Sequence, residues 1–380
     1  MAETGFVFTE DYFKFDYGSS HPMKISRLRL TYELMKAYGL LELEKCVYRT
    51  TRAATEEELA MFHRQGYLDA LKLASVSSEL ADLNMYNMGP GDNPPFPGLY
   101  DWSLLTSGAT IQCAELVDSG EAKIAFNIAG GLHHAHANKA SGFCYVNDPV
   151  LGVLALLKKG RKVVYIDVDA HHGDGVQWAF YHDKRVLTVS FHQHGRTLFP
   201  GTGFVNEMGE EEGRGFCVNV PLLPGSDDEI YVEVFRSLVP ELIDAFKPDV
   251  IVTQLGVDAF HTDPLANLDL TSNGFIKLIK ILKSLDLPWL ALGGGGYNTV
   301  NVARAWTLAW AEMNGVELDN QLPESVRNIF HNHGYVARTL RDEPYFAYGE
   351  ARRHAQREAQ EAVTYIKKAI LPLIRENSPS

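Results

Sequence analysis

The segment KVVYIDVDAHHGDG, from Lys162 to Gly175, sets Asp167, Asp169, His171, His172 and Asp174 at the end of a β-branched run. A buried strand end cannot hold so many unpaired charges, so something must neutralise them. Alternation along a strand puts Asp167, Asp169 and His171 on one side. There Asp169 and His171 can ligate one cation, with Asp167 behind them as a hydrogen-bond acceptor. Asp258, just past the run VIVTQLG, offers a third ligand. Two oxygens and one imidazole suit a borderline divalent ion, zinc first and Fe2+ second, with positions left open for water and substrate. Open positions mean catalysis. The plainer alternative is a salt-bridged strand end without metal, for which the local sequence lacks cationic partners.

A second pair, His133 and His134 in GGLHHAH, follows the run AKIAFNIAGG. Two imidazoles beside a metal site can divide labour, one taking a proton while the other stays charged, if each has a carboxylate to set its tautomer. Asp167 and Asp174 are the available acceptors, and metal ligation or a polar loop role is the alternative for the pair. The run GGGGYN, residues 293–298, lacks the spacing and the lysine of a phosphate-cradling loop. Its glycines let the backbone approach a ligand closely and let Tyr297 project toward it as a phenol donor to a developing oxyanion. Packing and capping of the following helix is the other reading of Tyr297.

These residues must be positioned by the elements around them. Runs near 122–131, 162–172, 186–192, 250–258 and 289–296 read as strands buried on both faces. DPVLGVLALLKKG, EIYVEVFRSLVPELIDAF and NGFIKLIKILKSL between them carry apolar residues at helical spacing. Such alternation predicts an α/β protein with a mostly parallel sheet and helices on both faces, where ligands bind outside the carboxyl ends of the strands. Thr55 and Glu58 have capping-box spacing and predict a helix start. Prolines and glycines over residues 89–102 predict a shaped surface loop. Strands disappear after about residue 320, and the charged segment from Tyr348 to Ile374 predicts a long terminal helix that packs on the body.

Composition narrows the class. The 380 residues carry 35 Lys and Arg against 48 Asp and Glu, a net charge of −13, which disfavours a partner with a phosphate backbone. Cys46, Cys113, Cys144 and Cys217 contain no C-x-x-C pair, so reduced thiols and a cytoplasmic location are expected. No basic leader and no run of 18 apolar residues appears, so neither export nor a membrane partner is expected.

Taken together, SSHPMKISRLRL, GGLHHAHANKASGFCYVND, DVDAHHGDGV, FPGTG, LGVDAFHTDPL and GGGGYN resemble the zinc-dependent deacetylases of the histone deacetylase superfamily. The blocks extend from about residue 12 to residue 310, and their texture is similar to class I enzymes and to bacterial acetoin-utilisation deacetylases. The resemblance implies an arginase-like α/β fold with an eight-stranded, mostly parallel sheet. It also implies a catalytic domain over residues 1–320 and a helical extension, 321–380, packed on the same domain.

By position, the resemblance makes Asp169, His171 and Asp258 the zinc ligands and His134 the general base and acid. His133 becomes its electrostatic partner, with Asp167 behind His133 and Asp174 behind His134. Tyr297 becomes the carbonyl-polarising residue. Gly142, Phe143 and Phe199 match the channel for an acyl-lysine stem; Asp92 and Leu265 match the substrate-binding rim, and Arg27 the acetate exit. Asp167, Ser190 and Phe191 match a structural K+ site. Where corepressor-bound class I enzymes carry arginines for inositol phosphate this chain has Pro264 and Val300, so that partnership is not implied. The expected activity is hydrolysis of acetyl or short acyl groups on protein lysines. Deacetylation of small amines such as acetylpolyamines and silent binding of acyl-lysine are the alternatives.

Overall fold

Each of the five β-branched runs forms a strand, and all of them end at one edge of a single sheet. The structure is a computed structural model that describes residues 2–76, 83–336 and 338–377. Along the chain the strands are β1 (Ala2–Phe8), β2 (Cys46–Thr50), β3 (Ala122–Asn127), β4 (Val163–Asp167), β5 (Val186–Gln193), β6 (Cys217–Leu222), β7 (Val250–Gln254) and β8 (Trp289–Leu292). They lie in the order β2-β1-β3-β8-β7-β4-β5-β6, and every neighbouring pair is parallel. Parallel strands need crossovers, which the helices supply on both faces, so β4, β5, β7 and β8 are buried at every position. Phe6 and Phe8 enter one apolar core and Val7 the other, the period-two alternation of a strand covered on both sides.

Three strands fall outside the runs that stand out in the sequence. β2 is an edge strand whose last three residues face solvent, so it lacks a continuous apolar signature. β6 carries Pro221, which the opposite edge tolerates because one side of that strand needs no sheet partner. β1 opens the chain with polar Glu3 and Thr4.

The three helical patterns appear as Asp148–Lys158, Asp228–Phe246 and Ser272–Ser284. Thr55 and Glu58 make the reciprocal capping box, at 3.2 and 2.7 Å, but that helix stops at Leu59 and a new one begins at Gln65. The loop expected over 89–102 is too long, because a helix Leu99–Asp118 begins inside it. Pro97 and Gly98 are the last residues there that oppose helical backbone; Gly98 caps the helix in the left-handed region at φ 79°.

The carboxyl-terminal helical run is continuous but not uniform. Gly349–Tyr365 is α-helical, Ile366–Ile370 widens to a π turn, and Leu371–Asn377 returns to α. The wide turn stands directly ahead of Pro372, whose ring and missing N–H disturb the ladder one turn earlier. Ala355, Ala359, Val363, Ile366, Ile370 and Ile374 enter the same core as the sheet. Arg352 donates through Nε to Asp227 at 2.6 Å, the buried cap residue of the helix Asp228–Phe246, and also pairs with Glu229. Arg352→Ala should therefore lower unfolding free energy by about 1.5–3 kcal/mol, the scale of a hydrogen bond to a charged group. Chemical denaturation checks this, and an unchanged midpoint would show that the run docks through its apolar face alone.

Candidate metal centre and imidazole pair

The four central strands β3, β8, β7 and β4 end level with one another, since Asn127 pairs with Leu292, Leu292 with Gln254 and Gln254 with Asp167. The loops beyond these four ends carry His133 and His134, Tyr297, Asp258, and the Asp169–Asp174 cluster respectively. Because β4 follows β3 in sequence but lies three places away in the sheet, the chain leaves a crevice between them that β7 and β8 fill later.

Asp169, His171 and Asp258 are buried, and their ligand atoms lie within 4.8 Å of one another. Each carboxylate gives one oxygen to the scaffold and turns the other inward, although the inward oxygen of Asp169 also accepts the His171 backbone N–H at 2.9 Å. Asp169 Oδ2 accepts from Gln254 Nε2 at 2.6 Å and from the Gly295 N–H at 2.8 Å; Asp258 Oδ1 accepts from the Ala170 N–H at 2.7 Å. The inward oxygens, Asp169 Oδ1 and Asp258 Oδ2, stand 3.1 and 3.0 Å from His171 Nδ1. Gly295 permits this approach, since a Cβ there would lie 2.2 Å from an oxygen of Asp258 and 2.6 Å from one of Asp169.

Without a metal the charges strain against each other. Burial and the Asp169 carboxylate push Asp258 up to about 7, against the pull of His171. Burial opposes a charge on His171, but its hydrogen bonds to Asp169 and Asp258 outweigh this and keep the imidazole protonated up to about 10. Two carboxylates and one imidazole, converging without a lysine or arginine among their hydrogen-bond partners, fit a divalent cation.

Beside this triad, His133 and His134 are both buried, and their Nε2 atoms lie 3.1 Å apart. His133 Nδ1 is 2.7 Å from Asp167 Oδ2, and His134 Nδ1 is 2.7 Å from Asp174 Oδ1. Each carboxylate draws the proton to Nδ1, which leaves both Nε2 atoms facing the site. Burial opposes a charge on His133, but Asp167 and Asp169 overcome it and hold the ring up at about 9. Burial, reinforced by the His133 charge, lowers His134 to about 4, against the pull of Asp174. A cationic His133 then donates from Nε2 to the lone pair of a neutral His134.

The other residues expected at the site are distributed around this centre. The Tyr297 ring meets those of His171 and Phe143 edge-on, with centroids 6.4 and 5.6 Å apart. Burial, then Asp258 and Asp169, push the Tyr297 hydroxyl well above its ordinary value, so it keeps its proton. Phe199 is 44% exposed, with its ring 5.1 Å from His134, so it bridges solvent and site. Gly142, at φ 49°, lies so close that a Cβ would stand 2.4 Å from His134 Cδ2. Arg27 is buried over the Trp306 ring and donates to Gly296 O at 3.1 Å. Leu265 is half-buried, and its N–H reaches Asp263. Asp92 is exposed on the 89–98 loop, outside the central cluster. Ser190 pairs with Asp167 in the sheet and Phe191 O accepts from Tyr231 Oη, so these three residues adjoin the centre from below.

Several positioning residues did not emerge from the sequence. Gln254 is one; an amide at the end of the largely apolar VIVTQ was its only signal. Asp148 is another, accepting the N–H groups of Gly131 and Leu132 at 3.0 and 2.9 Å and so shaping the loop that carries both histidines. Asp263 accepts the Tyr297 N–H at 2.7 Å. Asp148 also begins a helix, and Asp263 precedes a proline, so each reads locally as a cap or turn residue.

A profile of the histone deacetylase domain matches residues 21–313. Histone deacetylase B of Dictyostelium discoideum is 43% identical over 320 residues, 84% of this chain and 75% of that protein. Histone deacetylase 9 of Arabidopsis thaliana is 43% identical over 312 residues, 81% of this chain and 72% of that protein. An HDAC homolog from Aquifex aeolicus, solved by crystallography, has a TM-score of 0.86 at 34% identity, with 95% of this chain and 100% of that one covered. An HDAC homolog complexed with SAHA matches equally well, with 96% of this chain and 100% of that one covered.

Because His171 is raised to about 10 and Asp258 to about 7, both toward the protonated form, metal uptake should expel protons and weaken as pH falls. Zinc titrations in buffers of different ionisation enthalpy should show net proton release. Asp258→Ala should fold yet lose metal, and full zinc content in that variant would remove Asp258 from the ligand set.

Proposed function

The chain belongs to the histone deacetylase family, and on that premise we propose that it hydrolyses acetyl or related short acyl groups from lysine side chains of proteins. The observation that carries this reading is the convergence of Asp169, His171 and Asp258 beside an imidazole pair whose two members are held in different protonation states. Asp169, His171 and Asp258 would hold a divalent ion, zinc in preference to Fe2+, which would supply a Lewis acid for the amide carbonyl and for water.

The chain's own groups supply the remaining steps. His134, unprotonated at Nε2, exchanges its contact with His133 for the water, takes one of its protons as it adds to the carbonyl carbon, and returns that proton to the lysine nitrogen as the C–N bond breaks, leaving a carboxylic acid and an amine that become carboxylate and ammonium in solvent. Cationic His133 offsets the negative charge that develops, while Asp167 and Asp174 keep both rings oriented through Nδ1. Tyr297, still protonated, donates to the oxyanion. Gly142, Phe143 and Phe199 enclose the lysine stem, Asp92 and Leu265 meet the peptide at the rim, and Arg27 lies on the path by which acetate leaves. K+ at Asp167, Ser190 and Phe191 would brace the loop after β4. We also read the chain as an acetoin-utilisation type of enzyme in the cytoplasm, where cysteines without a C-x-x-C pair suit reduced thiols. Among those residues no helix is long and apolar enough to cross a membrane.

The reading is tested by assaying acetyl-lysine peptides beside acetylated spermidine, with and without a chelator. Chelator-sensitive turnover of peptides supports it. Turnover of the polyamine alone would make the substrate a small amine, and chelator-insensitive binding without turnover would make the protein an acyl-lysine reader. Tyr297→Phe should lower kcat about 10²–10³-fold, as the loss of one oxyanion donor does, with zinc content and melting temperature unchanged. Near-normal turnover would remove the phenol from the mechanism.

A further inference from the structure

Phe143 is among the few residues other than glycine with a left-handed backbone, at φ 67°, and it directly follows Gly142 at φ 49°. Such a conformation persists only where surrounding contacts over-determine it. Here two hydrogen bonds hold the residue from opposite sides. Its N–H donates to Asn93 Oδ1 at 3.0 Å, and its carbonyl accepts from Tyr17 Oη at 3.1 Å. Asn93 is only 3% exposed, and its Nδ2 donates to Asn87 O at 3.2 Å, which fixes the amide with its oxygen toward Phe143. The Asn93 carbonyl accepts the Gly89 N–H at 3.0 Å and closes the loop on itself.

The residue before Asn93 is the exposed Asp92. Its carbonyl lies 3.2 Å from Nε2 of His21, whose Nδ1 accepts the Met23 N–H and so leaves the ring proton on Nε2. The His21 ring in turn stands edge-on to Phe143, with centroids 4.6 Å apart. Two adjacent residues of one loop therefore connect to one wall residue, Asn93 directly and Asp92 through His21. A backbone so tied cannot move at the rim without moving the wall.

We propose that Asn93 is a positioning residue that couples the rim carboxylate of Asp92 to the Phe143 wall, so that a peptide backbone seated on Asp92 and a lysine stem seated against Phe143 are bound as one event. The proposal rests on the deacylase reading above and extends it to how the protein distinguishes a peptide from a small acylated amine. An amine without a peptide backbone engages only the wall and forgoes the coupling.

Two variants of the whole enzyme separate positioning from simple folding. Asn93→Asp keeps an oxygen for the Phe143 N–H and, protonated at this buried position, a donor for Asn87 O, whereas Asn93→Leu keeps volume and removes both. Asn93→Leu should raise KM for an acetyl-lysine peptide roughly 10-fold while kcat changes less than about threefold, and Asn93→Asp should restore most of the loss. Asp92→Ala should raise KM in the parent enzyme and add little in the Asn93→Leu background, the non-additivity expected of coupled residues. Additive effects, or equal damage in both Asn93 variants, would overturn the proposal. Hydrogen exchange at the Phe143 amide gives a readout independent of turnover: slow in the parent and in Asn93→Asp, faster in Asn93→Leu. Equal exchange in all three would overturn the clamp. An enzyme that turns over no acyl-lysine at all would instead overturn the deacylase reading, with the exchange result still deciding the clamp.

Discussion

Two aspartates, Asp169 and Asp258, are buried with one oxygen each turned toward the same point, and most of the architecture around the site follows from making that tolerable. Burial and the Asp169 charge raise the affinity of Asp258 for a proton, while the His133 and His171 imidazoles hold Asp169 ionised against its own burial. Backbone N–H groups and the Gln254 amide satisfy the outward oxygens, which fixes the direction of the inward ones. The protein thus uses hydrogen bonds to aim two carboxylate oxygens and an imidazole nitrogen at one point, a donor set that suits a divalent cation. The glycine run after β8 serves the same end, since a side chain at Gly295 would collide with both carboxylates.

The imidazole pair extends that electrostatic arrangement outward. Adjacent histidines on one loop would be equivalent in water. Here Asp167 lies deeper than Asp174 and takes hydrogen bonds from the Tyr165 hydroxyl and the Asp169 N–H as well, so the two rings face different fields. One ring holds its proton and the other keeps an unprotonated Nε2 that accepts from the first across 3.1 Å, and the charge on the first suppresses protonation of the second. A difference of this kind is what acid–base work near neutral pH requires. It arises from burial, from the Asp167 and Asp169 charges that hold the proton on His133, and from the charge His133 then sets beside His134.

Strand order brings these groups together. The contributing loops follow β3, β4, β7 and β8, which span more than 160 residues of chain yet are neighbours in the sheet. Parallel pairing in register places all four carboxyl ends at one height, so ligands from β4 and β7, imidazoles from β3 and the phenol from β8 meet without any long arm of chain. The outer strands carry none of this chemistry, and one of them, β2, is only partly covered.

Much of this was legible before folding was considered. Asp169, His171 and Asp258 could be read because charged and ligating residues at the ends of apolar strands have few uses besides a site, whereas the pairing of His133 with Asp167 and of His134 with Asp174 came from the family resemblance, the segments themselves offering only two available acceptors. Periodicity also revealed the interior strands and the principal helices, since burial on two faces leaves a continuous apolar run. Edge strands such as β2 and β6 escaped because partial exposure or a tolerated proline removes that signature. The order of strands was not encoded in any local pattern, and with it went the roles of Gln254, Asp148, Asp263 and Asn93. Each is an ordinary polar residue in its own segment, and only the tertiary structure decides which distant N–H or carboxylate stands opposite it, because hydrogen-bond partners are chosen by proximity in space rather than along the chain.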